Sequence, residues 1–218
     1  MKRKIKIYSI DEIEQGSKEW HKLRNLKFTA SNASTIMANG KGLETLVKEM
    51  IADFYSSQQY DEYSGKYKNE AMQRGNDFES MARTFYTLET GNNVEQVGFV
   101  ECDEYIGCSP DGFVGDDGLI EIKNHSDKVF VELMASKKID PKYRAQMQMQ
   151  MWVTGRKYCD YFGFNPNYQP SFYMERVYPD PVEFKRIEAG LQTGIKLVKT
   201  AREKLDKIFL KGEEDATE

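Results

Sequence analysis

The chain lacks any run approaching the roughly 18 to 20 consecutive apolar residues that a membrane span needs, so no transmembrane segment is expected. Its basic start, MKRKIKIYSIDEIEQG, is followed by neither an apolar stretch nor a small-residue cleavage site and does not read as a signal peptide. Cysteine is scarce. Cys102, Cys108 and Cys159 are the 3 present, an odd number without CxxC spacing, and they suit buried thiols in a reducing cytosol better than a disulfide framework. Histidine is scarcer: His21 and His125 are the 2 in the chain, and neither has a second histidine or a cysteine at zinc-ligand spacing. A strong charge of one sign is missing too. The net charge of -4 argues mildly against non-specific coating of nucleic acid, although 31 lysines and arginines suffice to line one cleft. No repeat or low-complexity block appears, so 218 residues suggest one domain over about 1–210. The acidic tail KGEEDATE (211–218) is expected to be disordered.

What is present is a change of period along the chain. SKEWHKLR (17–24) reads as a short helix with Ser17 as N-cap, and TASNASTIM (29–37) as another helical turn. In LETLVKEMIADFY (43–55) the apolar residues recur at i, i+3, i+4 and i+7, the pattern of an amphipathic helix. NEAMQRGNDFESMARTFYTLETG (69–91) extends the helical pattern and closes on Gly91. The period then shortens. VEQVGFVEC (94–102), YIGCSPDGFVG (105–115) and LIEIK (119–123) suggest an antiparallel meander with a turn at Gly115–Gly118. PKYRAQMQMQMWVTG (141–155) returns to helix between Pro141 and Gly155. YCDYFGFNP (158–166) and FYMERVY (172–178) suggest two more strands, and a long amphipathic helix occupies about 180–207. This order implies an α/β sandwich, a mixed central sheet flanked by helices.

The chemistry concentrates in SPDG (109–112) and LIEIK (119–123). Alternate strand residues share a face, so Glu121 and Lys123 point together while Ile120 and Ile122 point into the core. Asp111 lies across the turn, where hairpin pairing brings it beside Glu121. Two carboxylates that close repel, and a hard divalent cation between them resolves the conflict. Mg²⁺, with the carbonyl of Ile122 as a further ligand, fits that requirement. Lys123 would then act on a water attacking a phosphodiester. An ExK pair alone is commonly a solvated salt bridge; the PD at hairpin distance is what changes its meaning. Glu79, in RGNDFE (74–79), stands on a helix just before the sheet as a possible further ligand. Tyr143, Gln146 and Gln150 share a helical face, from which a glutamine can orient a water. Arg24, Thr29 and Ser31 gather donors at a helix start, a combination suited to phosphate.

Taken in order, EQGSKEWHKLRNLKFTAS (14–31), RGNDFE, SPDG, LIEIK and YRAQMQMQMWVTG (143–155) resemble the phage lambda-type exonucleases. These are viral recombinase nucleases of the restriction-endonuclease-like fold, and the resemblance spans about 15–200. It implies Asp111, Glu121 and the Ile122 carbonyl as Mg²⁺ ligands, with two ions expected, Glu79 supporting the second, and Mn²⁺ as a substitute. It implies that Lys123 activates the water, that Gln146 helps position it, and that Tyr143 contacts DNA. Arg24, Ser31 and Ser109 match residues that hold a 5′-phosphate. Where some members carry an arginine after the active-site strand, the nearest basic residue here is Lys128, and NHSD (124–127) departs from the usual Pro-containing run. The implied activity is 5′-to-3′ digestion of one strand of linear duplex DNA to mononucleotides, leaving a 3′ overhang for a single-strand annealing partner. A homotrimeric ring and a phage or prophage origin in the bacterial cytoplasm come with the same resemblance. An endonuclease on the same fold and an idle DNA-end-binding module stay open as alternatives. A glycosidase needs neither the lysine nor the phosphate pocket.

Overall fold

The computed structural model describes residues 4–59 and 70–209; the tail expected to be disordered lies outside them. The chain runs β1 (Lys6–Ser9), α1 (Lys18–Arg24), β2 (Phe28–Thr29), a 3-10 turn (Ala30–Asn32), α2 (Ala33–Ala38), α3 (Lys41–Gln59) and α4 (Glu70–Thr90). Then come β3 (Val94–Glu95), β4 (Val97–Asp103), β5 (Ile106–Cys108), β6 (Gly112–Val114) and β7 (Gly118–Asn124). α5 (Asp127–Ser136), α6 (Pro141–Thr154), β8 (Tyr158–Phe164), β9 (Phe172–Val177) and α7 (Pro181–Phe209) complete the order. The helix boundaries follow local chemistry. The Ser17 hydroxyl accepts from the Trp20 N–H at 3.1 Å to start α1. Asp140 caps α6 through the Lys142 N–H at 2.9 Å, Pro141 opens it, and Gly155 ends it in the left-handed region at φ 71°.

Five strands in the order β3-β6-β7-β8-β9 form the sheet that carries the site, with β7 and β8 parallel and the other pairs antiparallel. β7 returns to β8 through α5 and α6, the crossover that a parallel pair requires. Both faces of this sheet are covered. Ile120, Ile122, Phe162 and Phe164 pack with Ala82 and Tyr86 of α4 on one side. Leu119, Cys159 and Tyr161 join Met147 and Met151 of α6 in the larger core on the other, together with residues of α2, α3 and α7. α7 lies close against α2 because Gly190 has no Cβ: one built there would run into the Ile36 carbonyl. A hydrogen-bond network centred on the buried Asp160 holds α4 to the sheet. Arg176 donates to both oxygens of Asp160 at 2.7 and 2.9 Å, and the Tyr86 hydroxyl adds a third bond at 2.7 Å.

The α/β architecture is the expected one, but the meander is divided. The run 94–102 breaks between β3 and β4, and 105–115 breaks at 109–111, so β4 and β5 belong to a second sheet in the order β1-β4-β5-β2. Pro110 has no N–H with which to continue a ladder. Gln15 occupies the crossing, its amide donating to the carbonyls of Val97 at 2.7 Å and Pro110 at 3.1 Å. β1 and α5 had no counterpart in the sequence reading. α5 buries only Phe130 and Leu133 and leaves Val129 and Val131 exposed, so its apolar residues do not form one clear stripe.

Candidate active site

The β6–β7 register sets Gly112 opposite Ile120, which brings Asp111, one residue before β6, level with Glu121. The Ile122 N–H donates to Asp111 Oδ2 at 2.6 Å and fixes the carboxylate against β7. Glu121 is fully buried, and the Lys123 ammonium, two residues on along the same strand face, forms an ion pair with its Oε1. Glu121 Oε2 accepts from the Gln150 amide of α6 at 2.6 Å. A solvated surface salt bridge, the ordinary meaning of an ExK pair, is therefore excluded.

Two carboxylates face one ammonium in this site. Burial pushes the Asp111 carboxyl well above the usual carboxylate range, and the neighbouring Glu121 charge adds to the effect while Lys123 opposes it. Burial works against the Lys123 ammonium as well, but Glu121 and Asp111 outweigh it and hold the group above its ordinary value. Lys123 lies 5.2 Å from the Tyr143 ring centroid, and Tyr143 stacks on Tyr161 with centroids 6.2 Å apart. The Tyr161 hydroxyl and His125 Nε2 are 2.6 Å apart and hydrogen-bonded. Burial, then the charges of Lys123 and Lys142, push His125 down to about 4.

Glu79 projects from α4 and pairs with Arg83 one turn on; its charge still acts on Asp111. Among the described residues no three His, Cys, Asp or Glu side chains converge as a metal cluster. The donor set is therefore two carboxylates, a number that suits Mg²⁺, which keeps several waters and uses one or two protein carboxylates. Gln146 is half-buried on α6, one turn before Gln150. It is Gln150 that touches Glu121.

The donors at the start of the chain, Arg24, Thr29 and Ser31, also come together. The Arg24 guanidinium reaches Thr29 Oγ1 at 3.3 Å and Ser31 Oγ at 3.5 Å, and those hydroxyls are 3.1 Å apart. Arg24 lies over the Trp20 ring at 4.0 Å, and the Trp20 indole N–H donates to Ser109 Oγ at 2.8 Å. Trp20 thus ties the basic group to the segment that ends in Asp111. Lys128 stands apart, in a groove of about 420 Å³ past the end of β7, beside Asn124, Ser126 and Asn165. Sequence reasoning assigns no site role to Trp20 or His125 and does not single out Gln150 from the face it shares with Gln146. Only the i, i+4 spacing of Gln146 and Gln150 signalled the last of these.

A mixed sheet covered by helices on both faces, with Asp111 just ahead of β6 meeting Glu121 and Lys123 of β7, defines a protein of the restriction-endonuclease-like fold. More narrowly, the chain belongs to the YqaJ-like viral recombinase domain family, whose pattern matches residues 19–157. It is similar to the alkaline exonuclease LHK-Exo from Laribacter hongkongensis, at 31% identity and a TM-score of 0.79 over 89% of this chain and 99% of that one. The same exonuclease in complex with dAMP matches equally. A phage-related exonuclease from Haemophilus somnus, at 14% identity and a TM-score of 0.60 over 82% of this chain and 96% of that one, shares the fold. No curated protein matched.

Proposed function

We propose that the protein is a Mg²⁺-dependent exonuclease that digests the 5′-ended strand of linear duplex DNA to mononucleotides, leaving a 3′ overhang. The observation that carries this reading is a continuous path of contacts. Arg24 stacks on Trp20, Trp20 holds Ser109, and Ser109 leads through Pro110 to Asp111 beside the buried Glu121–Lys123 pair. A phosphate anchor and a carboxylate site joined in this way set a fixed distance between a bound 5′ end and the bond to be cut. Each cleavage then regenerates the anchored group, which is how an end-bound enzyme advances in one direction.

Asp111 and Glu121 would hold the metal, with the Ile122 carbonyl beside them, and Glu79 adds negative charge from α4 toward a second ion. When bound, Mg²⁺ makes a water nucleophile available near neutral pH and offsets charge building on the phosphate. Mn²⁺, also an oxygen-binding ion, would substitute. Lys123, held protonated by the two carboxylates, donates to the attacking water and to the phosphate oxygens. Gln146, half-buried on the face of α6 that also carries Tyr143, would help orient the water. Tyr143 and Lys128 contact the DNA strand at the edge of the site. Arg24, Ser31 and Ser109 receive the 5′-phosphate through charged and hydroxyl donors.

In this reading three subunits ring the duplex, and the 3′ overhang passes to a single-strand annealing protein of the same phage or prophage system in the bacterial cytoplasm. No described helix is long and apolar enough to cross a membrane. The deciding experiment is a time course on linear duplex DNA labelled at each end in turn, with and without Mg²⁺, beside a circular control. Metal-dependent release of mononucleotides from 5′ ends, with the circle intact, is the expected result. Cuts in the circle would show an endonuclease, and binding without cleavage an idle end-binding module.

A further inference from the structure

Gln150 is fully buried in α6, at a depth where a glutamine amide must find partners for both of its ends. It does. Its Nε2 donates to Glu121 Oε2 at 2.6 Å, and its Oε1 accepts from the Cys159 thiol of β8 at 3.8 Å. The thiol settles which way the amide faces. Burial pushes the Cys159 pKa far up, so the sulfur keeps its proton and is a donor toward the amide oxygen. The amide nitrogen is thereby turned to the carboxylate. Glu121 is then held at both oxygens, Oε2 by Gln150 from the helix and Oε1 by Lys123 from its own strand. Rotation of the carboxylate would break one contact or the other, and lone pairs remain for a cation shared with Asp111.

Resting on the reading of Glu121 as a metal ligand, we propose that Gln150 is a positioning residue that sets the Glu121 carboxylate for a divalent cation. It touches neither DNA nor the cut bond in this role. It acts through Glu121, as groups behind a ligand do when they fix its orientation. Gln146 and Gln150 lie one helical turn apart on α6: Gln146 is half-buried, and Gln150 is fully buried and reaches the carboxylate.

The test is Mn²⁺ binding to the full chain without DNA, followed by electron paramagnetic resonance, with thermal melting to verify folding. Gln150→Met keeps volume and removes the donor, and Mn²⁺ affinity is expected to fall about 10- to 100-fold. Gln150→Glu keeps a donor by sharing one proton with Glu121, and is expected to bind more tightly than Gln150→Met. A residue that mattered only for packing would give the opposite order, since the core accepts methionine more readily than a second carboxyl. That opposite order, or Gln150→Met binding like the wild type, overturns the proposal. If Gln150→Met does not fold, Gln150→Glu decides: affinity within about threefold of the wild type supports the role, and a loss of about tenfold or more overturns it. Failure of the parent reading looks different, since the wild type itself would then bind no Mn²⁺ and cut no DNA.

Discussion

His125 offers a prediction whose size can be worked from the structure. Burial lowers its pKa from 6.5 to about 4, and the charges of Lys123 and Lys142 add to the shift. Between those values the unfolded chain carries a proton on this imidazole that the folded chain does not. Stability therefore rises with pH across the window, is complete above about 6.5, and is lost as pH falls toward 4. A shift of about 2.5 units at 1.36 kcal/mol per unit corresponds to about 3 kcal/mol. Urea unfolding of the wild type and of His125→Leu, at intervals from pH 7.5 to 4, isolates the contribution. The variant loses the bond to the Tyr161 hydroxyl at every pH, a constant offset. On top of that offset, the wild-type advantage should shrink by about 3 kcal/mol on acidification. A difference that does not change with pH would refute the burial argument.

Further expectations concern the site and the frame that holds it. Lys123→Ala should lower cleavage by at least ~10²-fold while Mn²⁺ and DNA binding persist, and retained turnover would remove Lys123 from the chemistry. Omitting the 5′-phosphate from a duplex end should slow initiation about 10- to 100-fold in the wild type, through the loss of charged hydrogen bonds. In Arg24→Gln the two substrates should start at similar rates; equal rates already in the wild type would dismiss the pocket. Gly190→Ala should lower the thermal midpoint by roughly 2–10 °C, because the new methyl meets the Ile36 carbonyl of α2. An unchanged melt would mean that α7 and α2 are free to separate.

Much of the frame was legible because local rules govern it. The cap at Ser17, Pro141 and Gly155 at the ends of α6 and the 3.6-residue stripes of α3 and α7 are local signals, and those helices stand where they indicate. The alternation in LIEIK set Glu121 and Lys123 on one face, and the turn at Gly115–Gly118 brought Asp111 level with them, because hairpin pairing depends only on near neighbours. The division of the meander between two sheets was not legible. It is bridged by Gln15, which lies 82 and 95 positions from the carbonyls it satisfies.

The same contrast runs through the site. Which residues carry charge on which strand face, and the order of the motifs, can be read from the residues alone. That Glu121 is sealed from water, that Trp20 links Arg24 to Ser109, and that Gln150 rather than Gln146 meets the carboxylate all follow from packing between distant segments. Two glutamines one turn apart on a helix have the same periodicity. The depth to which α6 packs on β7 and β8 distinguishes them, and that depth is set by contacts from α2, α7 and the sheet together.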